Sequence, residues 1–234
     1  MKKIILIFSS IFFIPFFTSA QNNEFITVKA GMTVKSCFPP RIRYRYAGFT
    51  EGTGFLKNGS IIRDKFNYNF LLGEMEFIRS KDTLVISNKK DIKFMTIAQD
   101  TFYFNNGYLE QIRGGKVKVF IKQTIPLKDI LKKGAFGTTA RNTSIDSYTT
   151  VSAGGNIYEL RPDEDWVFQH TSEYYLTAPD NRYLLFNRKN AMQILPEKED
   201  IIKSYLKTNK IDFESREDLL KLADYLSSMM SSNP

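Results

Sequence analysis

The chain has 234 residues, 42% of them hydrophobic and 14% aromatic, enough for one large core or two small ones. One cysteine, Cys37, excludes an intramolecular disulfide and one histidine, His170, excludes a multi-histidine metal site, so the fold must stand on its core. The 33 basic against 25 acidic residues give a formal charge of +8, which draws the chain to anionic surfaces such as phospholipid head groups, lipopolysaccharide or acidic polymers.

Lys2 and Lys3 precede an apolar run from Ile4 to Phe17, followed by Thr18-Ser19-Ala20 and then polar Gln21-Asn22-Asn23. This is the layout of a secretory signal peptide over residues 1–20, with cleavage after Ala20. The run is shorter than the roughly 20 residues that span a bilayer, and Pro15 interrupts it. No later stretch is long enough either, so the expectation is no transmembrane span after cleavage. The protein is expected to be exported, to the periplasm or cell envelope or beyond it. An exported chain without a recognition motif argues against a nucleic-acid partner. Cys37 reads as a buried or half-buried thiol rather than a reactive site.

Residues 25–29 alternate as a short strand, and Cys37-Phe38-Pro39-Pro40 breaks the chain. Arg41-Ile42-Arg43-Tyr44-Arg45-Tyr46 then alternates more regularly than any other segment. As a strand it places Arg41, Arg43 and Arg45 on one face, which offers planar donor forks to phosphate or carboxylate groups. The same row would serve equally as a solvated face that discourages edge pairing.

Residues 52–122 are of strand type, cut at short intervals by turn signals. Candidate hairpins fall at Lys57-Asn58-Gly59-Ser60, Arg79-Ser80-Lys81-Asp82, Asn88-Lys89-Lys90-Asp91, Gln99-Asp100, Asn105-Asn106-Gly107 and Gly114-Gly115. Their spacing of about eight to twelve residues suits consecutive antiparallel strands. Glu74 and Glu76 oppose Met75 and Phe77, and Lys116 and Lys118 oppose Val117 and Val119, which predicts one wet face and one buried face. Leu84-Val85-Ile86 and Phe102-Tyr103-Phe104 are apolar on both faces and are expected to lie centrally.

The most distinctive segment runs from Phe66 to Ile78. Asn67 and Asn69 alternate with Phe66, Tyr68 and Phe70, so two amides share a strand face, where they could orient a polar ligand or bond neighbouring backbone. Gly73 predicts a bulge. Phe66-Asn67-Tyr68-Asn69, Gly73-Glu74-Met75-Glu76-Phe77-Ile78 and Asp82-Thr83-Leu84, with Lys133-Gly134-Ala135-Phe136-Gly137, resemble a family of small exported bacterial proteins to which no function is assigned. The resemblance covers most of the chain beyond residue 20. It implies export and a shared architecture, and it supplies no catalytic or binding residues.

Residues 137–156 are small and polar and read as a long loop, its start pinned by a turn between Gly134 and Gly137. Beyond it lie short candidate strands at 157–160, 166–168, 174–177 and 183–186. Asp163, Glu164 and Asp165 form an acidic cluster that could bind a hard cation, but calcium-loop spacing is absent and a solvated turn suits it better. The period then changes. Pro196 with Glu197, Glu199 and Asp200 opens a helix carrying Ile201, Ile202, Tyr205 and Leu206 on one face. Ser215 caps a second, whose apolar stripe runs through Leu219, Leu220, Leu222, Ala223 and Leu226.

The expected architecture is α+β: an antiparallel β-meander sheet, open or partly closed as a barrel, then a small mixed segment and two C-terminal helices. Residues 1–20 are the signal peptide, 21–135 the β-rich domain, 136–156 the polar loop or linker and 157–234 the mixed segment. With no paired catalytic constellation, the leading functional expectation is a non-catalytic binding or structural module of the cell envelope. Its candidate binding residues are Arg41, Arg43, Arg45, Asn67 and Asn69. Its partners would be an anionic envelope surface, a lipid or another envelope protein. A carrier of a lipid or other apolar ligand is the alternative, since a curved, aromatic-rich sheet can enclose a pocket. An enzyme built on dispersed residues such as Asp163, Glu164, Asp165 and His170 ranks last. No motif calls for a metal or cofactor.

Overall fold

The computed structural model describes residues 25–133, 139–142, 156–177 and 179–230. The expected signal peptide, the turn at 134–137 and most of the polar stretch lie outside them. Strand β1 (Phe25–Val28) leads into two one-turn helices, α1 (Val34–Cys37) and α2 (Pro40–Arg43). Then come β2 (Thr50–Leu56), β3 (Ile61–Asn69), β4 (Glu74–Arg79), β5 (Asp82–Val85), β6 (Ile92–Ile97), β7 (Asp100–Phe104), β8 (Tyr108–Arg113) and β9 (Val119–Thr124). Strands β10 (Leu127–Lys133), β11 (Thr139–Asn142), β12 (Asp165–Gln169), β13 (Thr171–Thr177) and β14 (Tyr183–Leu185) precede helices α3 (Arg188–Gln193), α4 (Glu199–Thr208) and α5 (Arg216–Met229).

The strands form a ten-stranded sheet of order β14-β13-β9-β8-β7-β6-β2-β3-β4-β5 and a four-stranded sheet of order β1-β12-β10-β11. Every strand pairing is antiparallel, and among the described residues the large sheet is open, ending at β14 and β5. The α+β class holds.

The large sheet is two meanders rather than one. The first runs from β2 to β5, and the chain then crosses back so that β6 pairs with β2. The predicted hairpin at Asn88-Lys89-Lys90-Asp91 is instead part of this crossing, a single 3-10 turn at Lys89–Asp91. Three bonds pin the crossing to the sheet: Ile86 N–H to Met75 O at 3.2 Å, Lys57 N–H to Asp91 O at 2.8 Å, and an ion pair between Lys89 and Glu74. The consequence for β5 is that it is an edge strand. Leu84 and Val85, expected at the centre of the sheet, are 41% and 39% exposed. A short apolar run reads alike whether it is buried or at an edge.

The two sheets share one bent ladder. Strand β9 pairs with β13, and past Pro126 and His170 the same two segments continue as β10 and β12 in the small sheet. Proline has no N–H to give the ladder, and β10 starts with a register shift between Leu127 and Asp129, so the corner falls where pairing is weakest. The segment after 156 is thus built into both sheets. Within the expected loop, Thr139–Asn142 is a strand paired with β10.

One core lies around Phe38, Phe66, Tyr68, Met75, Met95, Phe102, Trp166 and Phe168. A second lies between Val119, Ile121, Tyr174 and Leu176 of the sheet and the C-terminal helices. Phe120 is also buried, so β9 is covered on both faces. Ser215 caps α5 by accepting from Asp218 N–H at 3.3 Å, and Leu219, Leu222, Ala223 and Leu226 are fully buried. Pro196 opens a 3-10 turn before α4. Helix α4 buries Ile202 and Leu206 but leaves Ile201 55% exposed, so its predicted apolar face is narrower. Helix α3 was not expected from the pattern.

Two backbone positions test this arrangement. A Cβ on Gly52 would lie 2.7 Å from Thr96 O, so Gly52→Ala should lower stability by about 1–3 kcal/mol. Ala98 sits at φ 50° in the β6–β7 turn, where glycine is unstrained, so Ala98→Gly should raise it by about 0.5–1 kcal/mol. Urea unfolding of both variants checks the pair.

Candidate functional site

The β3–β4 hairpin organises everything polar and apolar around it. Register sets Phe66 opposite Phe77 and Tyr68 opposite Met75, all on one face, with Asn67 opposite Glu76 on the other. Residues 70–73 form the turn, with Gly73 at φ +66°, so the expected bulge is a hairpin turn. The second face is not wet: Asn67 and Asn69 are fully buried and Glu76 is 4% exposed.

That face is closed by residues 43–48 and by Tyr158. Asn67 Oδ1 accepts from Tyr46 N–H at 3.1 Å, and its Nδ2 donates to Tyr46 O at 3.0 Å and Gly48 O at 3.1 Å. Asn69 Oδ1 accepts from Leu71 N–H at 3.1 Å and Leu72 N–H at 3.2 Å, capping the turn, and its Nδ2 donates to the Tyr158 hydroxyl. Both amides are consumed by the fold.

The three arginines form no row, because residues 41–46 are not a strand. Pro39-Pro40 sets helical φ at the first turn of α2, and only Tyr44 makes an isolated bridge, to Asn69. Arg41 is exposed. Arg43 stacks between the Tyr44 and Tyr158 rings, its guanidinium 4.9 Å from each centroid. Arg45 grips Glu110 with both sides of its fork, at 2.9 and 3.1 Å, and reaches Asp100 at 3.2 Å. Asp100 also accepts from the Tyr46 hydroxyl at 2.7 Å. Of the predicted site residues, Arg43, Arg45, Asn67 and Asn69 are therefore brought together, as a clamp that fastens residues 43–48 to the sheet, and Arg41 lies outside it.

The acidic cluster does not converge either. Asp165 is 8% exposed and binds Lys29 Nζ at 2.8 Å and Ala30 N–H at 2.9 Å, while Glu164 pairs with Lys132 at 3.5 Å. His170 packs edge-on against Phe70 at the corner of the bent ladder, 5.3 Å between centroids. Among the described residues, no three His, Cys, Asp or Glu side chains are placed to hold a metal, and no helix is long and apolar enough to cross a membrane.

An open space remains on the apolar face. A cavity of about 270 Å³ lies between the sheet and the β5–β6 crossing. Gly54 and Met95 face it from β2 and β6, Ile62 and Phe66 from β3, and Phe77 from β4, with Ile86 on the crossing side. Gly54 is buried in mid-strand, and a Cβ built on it would have nothing nearer than 3.9 Å. Its missing side chain is part of the space. Asp64, Arg79 and Asp91 supply charge to the lining. Exposed Ile62 and Val85, at 45% and 39%, also line it. Sequence reasoning missed these residues. A signal existed in the charges at Asp64 and Arg79, which interrupt the apolar stripes Ile62-x-Asp64-x-Phe66 and Met75-x-Phe77-x-Arg79.

No family model, curated protein or solved structure matches this chain.

Burial raises a set of phenols above their usual range. Tyr158 is pushed up to about 12, and Tyr44 further, by burial and then by the Glu76 carboxylate beside its hydroxyl. Tyr46, Tyr68 and Tyr108 are raised chiefly by burial as well. The unfolded chain releases these protons near pH about 10 while the folded chain keeps them, so stability falls as pH rises above that value. Tyrosinate absorbance should show these five rings silent through about pH 11 and ionising together with loss of near-ultraviolet circular dichroism.

Proposed function

We propose that this is an exported, non-catalytic binding protein of the cell envelope whose ligand is an apolar molecule, held in the cavity between the β5–β6 crossing and the large sheet. The cavity carries this reading. Its volume, about 270 Å³, is close to the lower end of the roughly 300–1,000 Å³ of small-molecule sites. Its lining is mostly apolar, with few charged groups, the usual composition of such sites. Gly54 keeps the floor open where any larger side chain would fill it. Export is supported by the leader-like residues 1–20. The clustered arginines give no support to adsorption on an anionic surface, since two of the three are engaged within the protein.

Gly54→Val is the direct test. A β-branched residue suits a strand, and the new methyl groups would project into the cavity. The native protein should bind the compact neutral fluorophore N-phenyl-1-naphthylamine saturably. The variant should melt at the same temperature or higher and bind the probe at least about tenfold more weakly, since a pocket distinguishes even one methylene. Equal binding by both proteins would remove the cavity as the site.

A further inference from the structure

The charges around the cavity narrow the ligand further. Asp64 and Arg79 occupy neighbouring strands: Phe66 lies opposite Phe77, and the next same-face position outward is Asp64 on β3 and Arg79 on β4. Opposite charges so placed would ordinarily join. Here neither is in an ion pair with any described residue, and neither is Asp91. Asp64 is half-buried and its carboxylate accepts from the adjacent Lys65 N–H at 2.7 Å. The Arg79 guanidinium instead lies over the Phe77 ring, 5.4 Å from its centroid. Stacking uses the flat face of the guanidinium and leaves the donor edges of its fork free.

Resting on the cavity as the binding site, we propose that the ligand is a single-chain amphiphile with a zwitterionic head. Its alkyl chain fills the cavity, its ammonium group meets Asp64 and Asp91, and its phosphate or carboxylate meets Arg79. A purely apolar ligand leaves the half-buried Asp64 carboxylate without an ion pair and makes no use of the exposed Arg79 and Asp91. An anionic head gains only Arg79 and is repelled by two carboxylates, and a cationic head gains Asp64 and Asp91 but is repelled by Arg79. A head of both signs satisfies all three. The cavity volume, below the usual range of small-molecule sites, suits one chain rather than two.

The test is isothermal titration of the purified protein with octanol, octanoate, octyltrimethylammonium and octylphosphocholine, each below its micellar concentration. Octylphosphocholine should bind tightest, by roughly tenfold over octanol, as expected for charge-assisted contacts. Arg79→Gln and Asp64→Asn should each bring it to within about twofold of octanol measured on the same variant. Both substitutions are on the cavity rim outside the core, and circular dichroism confirms that the variants fold. If octanol or a singly charged probe binds as tightly as octylphosphocholine, the zwitterionic head is wrong and the apolar-ligand function stands. If no probe binds, that function falls and the head-group assignment with it.

Discussion

The constraint on which the rest of this structure depends is that the β3–β4 hairpin is buried on both faces, and that the two faces need opposite kinds of cover. The face of Phe66, Tyr68, Met75 and Phe77 is satisfied by hydrophobic packing against β6, β7 and β8. The face of Asn67, Asn69 and Glu76 requires hydrogen-bonding partners, because each unmet polar group there would cost about 1–3 kcal/mol. Residues 43–48 and Tyr158 supply them to the two amides, whereas Glu76 Oε2 lies buried without a hydrogen-bond partner among the described residues. The N-terminal segment therefore cannot continue as a regular strand: its backbone at Tyr46 and Gly48 is consumed by the Asn67 amide, and its arginines turn to stack on tyrosines or to grip Glu110.

Order in the chain explains how the same hairpin comes to border a cavity. The first meander ends at β5, and β6 must still find an unpaired edge. Instead of the free edge of β5 it takes that of β2, on the far side of β3 and β4, so the connection passes over the sheet face. A short irregular segment crossing a pleated surface packs less densely than a helix or strand would. It is held at Met75, Lys57 and Glu74 rather than by a continuous ladder. The space it leaves coincides with Gly54. At the other end of the sheet no such crossing is needed, because the bent β9–β10 and β12–β13 ladder passes directly into the second sheet, and the helices close that face with a filled core.

Local features of the sequence were legible, and long-range ones were not. The turns at Asn58-Gly59, Ser80-Lys81 and Asn106-Gly107 were readable because a positive φ leaves a residue signature, and so was the Ser215 cap of the last helix. The α+β class followed from the change of period near residue 196. By contrast, Arg41 to Tyr46 alternates well enough for a strand, yet six residues fit either period and the preceding prolines decided the matter. Glu76 reads as a solvent-facing residue until the distant Tyr44 and Tyr158 are placed over it. Leu84 and Val85 read as central because composition does not reveal how many neighbours a strand has.

The cavity was invisible for the same reason, since its lining is drawn from five strands and a crossing segment. Three of its members nevertheless break a local rule. Gly54 is a glycine in mid-strand, Asp64 a carboxylate on an apolar stripe, and Arg79 a guanidinium on another. Isolated departures of this kind occur in any sheet. When three unrelated departures converge on one space, the physical reading is different, because natural sequences are locally consistent except where function requires otherwise. The buried amides Asn67 and Asn69 are also departures, but the fold satisfies them completely and they need no further partner. Asp64 and Arg79 line the same space without an ion pair to any described residue, and this difference in satisfaction supports the cavity, rather than the amide cluster, as the proposed ligand site.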